Sequence, residues 1–210
     1  MHVYMLLSGL ALGADLPFST AGCDQLSTLS ELRFTFNVEV SGEHKTERRW
    51  EYHPRSSKVV RTVDGESMTF TFGSPKGEAE TEADAQFVND SFWLLPSCHM
   101  AWAKDIVISP VGEGTIPVAP VGEAPGRARM VTVTYPEDGG GYTPGDAYDL
   151  YLGANGEIVA WSYRRKAAAE PTLSTTFDDY VSAGPLRIAT EHASSDRDFR
   201  LFFTDVVVQR

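Results

Sequence analysis

The stretch that decides the fold class lies near the start of the chain and reads Arg33-Phe34-Thr35-Phe36-Asn37-Val38-Glu39-Val40. Its apolar residues alternate strictly with polar residues, and a period of two is typical of a β-strand with one buried and one solvated face. Aromatic and β-branched residues also favour strands. The stretch therefore predicts a half-buried strand, and similar alternation continues along much of the chain.

Two dipeptides, Asp64-Gly65 and Asn155-Gly156, each stand between two alternating runs. Both favour the type I′ turn, whose twist matches that of paired strands. The further runs that predict strands span residues 46–52, 58–63, 67–72, 130–135, 147–152, 157–164, 186–191 and 199–208. We therefore predict a mainly β fold, a curved antiparallel sheet or incomplete β-barrel of about ten strands.

Between Asp84 and Trp102 the period changes from two to about 3.6. The apolar residues that would share one helix face are Phe87, Val88, Phe92 and Leu95. Asp84 is expected to cap the helix at its start, and Pro96 is expected to break or kink it. We predict one or two helices here, lying over the sheet as a lid.

The charge balance argues against two classes of partner. The chain carries 29 acidic and 18 basic residues, for a formal net charge of −11. Nucleic-acid phosphates require a dense Lys/Arg surface, and anionic lipid headgroups attract positively charged segments. We therefore expect no nucleic-acid partner and no tight docking to anionic lipid headgroups.

The first 22 residues contain an apolar run at residues 3–14 that is too short to cross a bilayer. The run is similar to the core of a secretory signal, with Ala11-Leu12-Gly13 as its cleavage site. A first helix packed on the sheet is the alternative. We divide the chain into residues 1–22, a signal or N-terminal helix, and residues 23–210, a single β domain. The expected protein is exported, periplasmic or associated with the outer membrane, and not transmembrane.

The chain has two cysteines, Cys23 and Cys98. Thr20-Ala21-Gly22-Cys23 is similar to a lipoprotein processing site, although Thr20 stands where a Leu is expected, so acylation of Cys23 stays open. A disulfide between the two cysteines and two free, buried thiols both fit their spacing.

No catalytic motif emerges from the sequence. The five histidines are scattered, without the HExxH spacing of a zinc site, and there is no GxSxG elbow or Walker loop. We therefore predict no catalytic residue, no metal site and no cofactor. Two alternatives remain: a ligand-free interaction module, or a hydrolase with its site on the loops at 73–84 and 137–146. The hydrolase would require His99 or His192 to meet a carboxylate and a nucleophile.

Several short motifs, in a fixed order, carry a resemblance to a known family. In the front half they are Phe34-Thr35-Phe36-Asn37-Val38, Arg48-Arg49-Trp50-Glu51-Tyr52-His53-Pro54, Val59-Val60 and Asp64-Gly65. In the back half they are Asn89-Asp90-Ser91-Phe92-Trp93-Leu94-Leu95, Gly141-Tyr142-Thr143-Pro144-Gly145-Asp146, Tyr148-Asp149-Leu150-Tyr151, Trp161, Thr176-Phe177-Asp178-Asp179-Tyr180, Gly184-Pro185-Leu186 and Phe203-Thr204-Asp205-Val206. Over residues 26–208 the chain resembles the LolA/LolB-like lipoprotein-localisation carrier superfamily, in particular uncharacterised exported relatives of that fold.

The resemblance implies an incomplete antiparallel barrel, lidded by helices, that shelters acyl chains, with an Arg under the lid. Lys45, Arg48 and Arg49 are the candidates for that basic residue. The expected function is that of a non-enzymatic carrier of a lipid, a lipoprotein acyl chain or another hydrophobic ligand, with a lipoprotein or envelope protein as a further partner. The residues expected to line the cavity are Phe34, Phe36, Trp50, Tyr52, Phe70, Phe72, Phe92, Trp93, Leu95, Trp102, Trp161 and Tyr163.

Overall fold

The computed structural model describes residues 16–119, 123–138 and 143–210. Within them lie twelve strands: β1 (Glu31–Val40), β2 (Glu43–His53), β3 (Lys58–Val63), β4 (Glu66–Thr71), β5 (Val107–Thr115), β6 (Arg127–Thr134), β7 (Ala147–Leu152), β8 (Ile158–Arg164), β9 (Leu173–Thr176), β10 (Asp178–Ala183), β11 (Leu186–Ala193) and β12 (Phe199–Gln209). Two α-helices, α1 (Glu78–Leu94) and α2 (Pro96–Trp102), and a 3₁₀ turn at Cys23–Thr28 complete the main elements. The apolar run at residues 3–14, which was predicted to be a signal or a first helix, lies outside the described residues.

The strands form two antiparallel sheets. The first has seven strands in the order β10-β11-β12-β1-β2-β3-β4, and the second has five in the order β5-β6-β7-β8-β9. The last strand, β12, pairs with the first, β1, placing Phe36 opposite Phe203. The mainly β, antiparallel prediction is confirmed, although the strands divide between two sheets that do not close into a barrel within the described residues.

A single residue, Phe177, separates β9 in the second sheet from β10 in the first. The chain therefore passes directly from one sheet to the other at this position. Thr176 reinforces the junction, because its carbonyl oxygen lies 3.2 Å from His192 Nδ1 and its hydroxyl accepts a hydrogen bond from the Ala193 amide at 3.2 Å. The two sheets are thus joined at Phe177.

The helical segment starts earlier than predicted. Helix α1 begins at Glu78, after Gly77, so the prediction that Asp84 caps the helix was wrong. Asp84 is buried within the helix and accepts a hydrogen bond from the Gly73 amide at 2.9 Å. The acidic residues at the start have good helix propensity and favourable charge at a helix N-terminus. Pro96 does break the helix, and it opens α2 at a position where proline is tolerated.

The two predicted type I′ turns have different outcomes. Asp64 (φ +50°) and Gly65 (φ +82°) both adopt the left-handed conformation that a type I′ turn requires, which confirms the first. In the second, only Gly156 has a positive φ, and the Gly153 amide donates to the Glu157 carbonyl at 2.9 Å. The loop is one residue longer than a two-residue turn, so this prediction of turn type was wrong.

Cys23 and Cys98 form a disulfide that joins the 3₁₀ turn to α2. The alternative of two free thiols is therefore excluded. The sulfur of Cys23 is bonded to Cys98 and is not available for an acyl group, which corrects the open expectation of lipidation at this residue. The disulfide fixes α2, at the end of the helical segment, to the chain that enters β1.

Two apolar clusters lie on the inner faces of the sheets. The first packs between the seven-stranded sheet, α1 and the disulfide, and the second packs against the five-stranded sheet. The half-buried Trp93 of α1 borders both clusters. Neither of the described α-helices combines the length and the hydrophobicity that a membrane-spanning helix needs.

Candidate ligand-binding site

The twelve residues predicted to line a cavity lie on inner faces, where they are packed into the two clusters. The first cluster contains Phe34, Phe36, Trp50, Tyr52, Phe70, Phe72 and Leu95, with Trp93 and Trp102 at its border. The second contains Trp161, with Phe92, Trp93 and Tyr163 at its border. The fold thus brings them together as two sets that meet at Trp93, and side chains from the helices cover both sets.

Helix α1 covers the first set through Phe87. Its ring centroid lies 5.3 Å from that of Trp50, 5.2 Å from that of Tyr52 and 5.3 Å from that of Phe72. These distances are typical of packed aromatic pairs. One side chain of the helix therefore occupies the space above three aromatic residues from β2 and from the end of β4.

The next turn of α1 covers the second set. The Phe92 ring centroid lies 5.2 Å from that of Tyr148 and 5.7 Å from that of Trp161. The Trp93 ring meets that of Trp161 edge-on at 4.5 Å. Both Phe92 and Trp93 remain half-buried, so the cover over the second sheet is thinner than the cover over the first.

A buried polar contact attaches α1 to the first sheet. Arg48 Nε donates to Asp90 Oδ2 at 2.7 Å, and the Trp50 indole N–H donates to the same oxygen at 2.8 Å. Of the three candidates for a basic residue under the lid, Arg48 is thus the one that contacts the helix. Lys45 pairs with Glu43, and Arg49 lies 3.8 Å from Glu51, both within β2.

A cleft of about 610 Å³ opens at one end of the second sheet. Its apolar walls are formed by Ile116, Val118, Ala119, Leu152, Val159 and Phe177. Its charged residues are Glu113, Glu123, Arg127, Arg129 and Asp178. The volume fits a pocket for a small molecule, and the walls combine apolar with charged side chains. None of the twelve predicted lining residues reaches this cleft.

Sequence reasoning missed the cleft because its walls come from distant segments. Ile116 and Val118 belong to a Pro- and Gly-rich stretch that shows neither the period of a strand nor that of a helix. Phe177 looks like an ordinary residue of a Thr-rich strand. Its role at the junction of the two sheets depends on pairing between distant segments, and no local pattern in the sequence indicates it.

Within the parts of the chain that the structure describes, neither His99 nor His192 meets the carboxylate that the hydrolase alternative requires. His99 Nε2 lies 3.1 Å from Ser91 Oγ, and burial lowers the pKa of His99 to about 4. Among the described residues no carboxylate contacts this pair. His192 is enclosed by aromatic rings, and its Nδ1 faces a backbone carbonyl. Within the same parts of the chain, no group of three or more His, Cys, Asp or Glu could hold a metal ion.

No protein-family model matches the chain, and no curated protein matches it. Two solved structures are similar in fold. A DUF1329 family protein from Desulfovibrio piger ATCC 29098 aligns with a TM-score of 0.43 and 10% identity, over 88% of both chains. The LolA superfamily protein NE2245 from Nitrosomonas europaea aligns with a TM-score of 0.46 and 4% identity, over 86% of both chains. A member of the superfamily that the motifs resemble is thus among the structures similar to this chain, and the likeness concerns the fold alone.

Proposed function

We propose that the protein is a non-enzymatic carrier that binds a hydrophobic small molecule or acyl chain. The observation that carries the proposal is the cleft of about 610 Å³ whose walls include Leu152, Val159 and Phe177. An apolar surface of this kind gains free energy when a ligand removes it from water, at about 25 cal/mol per Å². The apolar part of the walls therefore favours a hydrophobic ligand, whereas the charged residues of the cleft can contact a polar end of such a ligand.

Phe177 connects the cleft with the aromatic interior. Phe177 is one of the residues that line the cleft, and its ring centroid lies 4.9 Å from that of Trp161 and 4.3 Å from that of His192. A ligand longer than the cleft therefore meets the second cluster first. We propose that such a ligand contacts the twelve predicted residues when α1 moves away from the second sheet.

Helix α1 is proposed as the movable part of the cover. Its half-buried residues Phe92 and Trp93 lie over the second sheet, whereas the Arg48–Asp90 pair holds the helix to the first sheet. Movement of Phe92 and Trp93 away from Trp161 would open a continuous apolar path from the cleft. The disulfide at Cys98 keeps α2 in place during this movement.

We also propose that the protein works outside the cytoplasm, in the periplasm or at the outer membrane, and delivers its ligand to or from a lipoprotein or envelope protein. The Cys23–Cys98 disulfide supports this location, because structural disulfides persist in oxidising compartments. The acidic net charge of −11 supports a protein partner with a basic surface.

The test is binding of the neutral fluorescent probe N-phenyl-1-naphthylamine, compared between the parent protein and a variant that fills the cleft. Val159→Trp places a large ring in the cleft at a half-buried position, and we expect at least about tenfold weaker probe binding. Val107→Trp is the matched control, because Val107 is 59% exposed on β5 and lies outside the cleft. Equal binding by the two folded variants, or no binding by the parent protein, would refute the proposal.

A further inference from the structure

Three buried polar atoms of the inner surface lack a hydrogen-bond partner among the described residues. They are Trp161 Nε1, Thr175 Oγ1 and His192 Nε2, on residues that are 1%, 0% and 0% exposed. A buried polar group without a partner costs about 1–3 kcal/mol, and native proteins contain few of them. Three in one region therefore need an explanation in terms of function.

The three side chains lie close together. Trp161 on β8 and Thr175 on β9 are directly opposite each other in the ladder, so their side chains share one face of the sheet. The rings of Trp161 and His192 both contact the Phe177 ring, at 4.9 and 4.3 Å, and both contact the Trp93 ring, at 4.5 and 5.5 Å. Trp161 and His192 thus contact the same two aromatic rings, and Thr175 lies beside Trp161 on the same face of the sheet.

Phe177 is also one of the residues that line the cleft. The same residue therefore borders the open cleft and contacts the rings of Trp161 and His192. A molecule that enters from the cleft would reach the polar groups if Phe177 moved aside.

The hydrogen-bonding role of each atom follows from its chemistry. His192 Nδ1 lies 3.2 Å from the Thr176 carbonyl oxygen, which can only accept, so Nδ1 carries the hydrogen and Nε2 is an acceptor. Burial lowers the pKa of His192 to about 3, which keeps the ring neutral at pH 7. The indole N–H of Trp161 only donates, and the Thr175 hydroxyl can do either.

We propose that the ligand of this site is a hydrophobic molecule with a neutral hydroxyl group, which accepts from Trp161 Nε1, donates to His192 Nε2 and bonds Thr175 Oγ1. The inference rests on the proposed carrier function and narrows its ligand to long-chain alcohols and chemically similar molecules. A carboxylate would accept from Trp161 but leave His192 Nε2 unpaired, and it would bury a negative charge among three neutral groups. An alkane would leave all three groups unpaired.

Four ligands with the same alkyl chain test the assignment: 1-dodecanol, dodecyl methyl ether, dodecanoate and dodecane. Each is titrated against the neutral fluorescent probe N-phenyl-1-naphthylamine bound to the full chain. We expect 1-dodecanol to displace the probe at about tenfold lower concentration than the other three. The ether accepts but cannot donate, so its weaker binding reports on the bond to His192 Nε2.

Two variants remove the polar atoms: Thr175→Val, with little change of shape, and Trp161→Phe, which also leaves a cavity where part of the indole was. Each is expected to reduce the preference for the alcohol about five- to tenfold. Because the Thr175 hydroxyl has no partner among the described residues, Thr175→Val should unfold at the same or a higher temperature than the parent. The matched control is Thr176→Val. The Thr176 hydroxyl accepts a hydrogen bond from the Ala193 amide, so its loss should lower the unfolding temperature without changing the preference for the alcohol.

The outcomes separate the inference from the function on which it rests. If the probe does not bind, or no member of the series displaces it, the carrier function and the inference both fail. If all four ligands displace the probe equally, the carrier function stands and the hydroxyl site is refuted. A preference for the alcohol that survives both Thr175→Val and Trp161→Phe would refute the assignment to these residues.

Discussion

Arg48 and Asp90 form a bidentate ion pair that joins β2 to α1, with Arg48 Nε 2.7 Å from Oδ2 and Nη2 2.8 Å from Oδ1 of Asp90. Asp90 is completely buried, and burial raises the pKa of its carboxyl group while Arg48 acts in the opposite direction. The Arg48 guanidinium also lies over the Phe36 ring at 4.8 Å. A charge pair is thus set into the apolar surface that α1 covers.

Removing one member of this pair should be costly. Asp90→Ala leaves Arg48 with an unpaired charge in an apolar setting, and we expect the free energy of unfolding to fall by about 3–5 kcal/mol. Urea unfolding followed by circular dichroism measures the change. Lys45→Ala breaks the exposed Lys45–Glu43 pair and should cost less than about 1 kcal/mol. A similar small cost for both variants would contradict the attachment of α1 through Asp90.

Gly22 and Gly42 offer a matched test of a close backbone approach. Both have positive φ, +81° and +75°, but a Cβ added at Gly22 would lie 2.1 Å from the Pro185 carbonyl oxygen, whereas nothing lies within 4 Å at Gly42. We expect Gly42→Ala to lower the free energy of unfolding by about 1–2 kcal/mol, because alanine is strained at a positive φ. Gly22→Ala should cost about 1–3 kcal/mol more, because the chain must also move away from Pro185. Equal midpoints of urea unfolding would contradict the contact with Pro185.

The parts of the fold that could be predicted are those that depend on residues close together in the sequence. The strand at β1 and the Asp64-Gly65 turn depend on neighbouring residues, and both form as expected. The predicted solvated face of β1 is not solvated throughout, because Thr35 and Asn37 are buried. The pairing of β1 with β12 joins the two ends of the described domain, and no local pattern specifies it. The start of α1 was missed because residues 78–83 are mostly acidic and show no apolar period.

The candidate site was harder to predict than the fold. Aromatic residues such as Trp50 and Trp161 do lie on inner faces, as alternation predicts, but alternation cannot tell a packed surface from an open one. Whether an inner face is covered depends on where α1 lies, and α1 is positioned by the Arg48–Asp90 pair and by its packing. The cleft depends on the junction at Phe177, where two sheets meet.

The Cys23–Cys98 disulfide should contribute strongly to stability. It closes a loop with a sequence separation of 75 residues, and the loss of a link of this kind costs about 2–5 kcal/mol. We expect the double variant Cys23→Ala/Cys98→Ala to unfold at lower urea concentration than the oxidised parent. Dithiothreitol should lower the stability of the parent protein and leave that of the double variant unchanged.

Mass spectrometry checks the same bond directly. Iodoacetamide should add nothing to the unfolded, unreduced parent protein and two carbamidomethyl groups after reduction, because the chain contains two cysteines. Alkylation without reduction would show free thiols and contradict the disulfide.

The last prediction concerns the pH dependence of stability. An unfolded histidine titrates near pH 6.5, whereas burial lowers the pKa of His192 in the folded protein to about 3. Between these values the unfolded chain binds a proton that the folded protein does not, so the free energy of unfolding falls by about 1.4 kcal/mol per pH unit as the pH drops. Above pH 6.5 the contribution is constant.

His192→Phe removes the contribution of histidine protonation to the pH dependence of stability and keeps a ring in the aromatic cluster. Carboxylates and His99, whose pKa burial lowers to about 4, affect parent and variant alike, so the difference between the two proteins isolates His192. Between pH 7.5 and pH 4.5 the parent should lose about 2–3 kcal/mol more than the variant, measured by urea unfolding at each pH. His44→Phe, at an exposed position on β2, should follow the parent curve. Parallel curves for parent and His192→Phe would mean that His192 is protonated as easily in the folded protein as in the unfolded chain. An Nε2 that readily accepts a proton could not be the buried, neutral acceptor that the hydroxyl site requires.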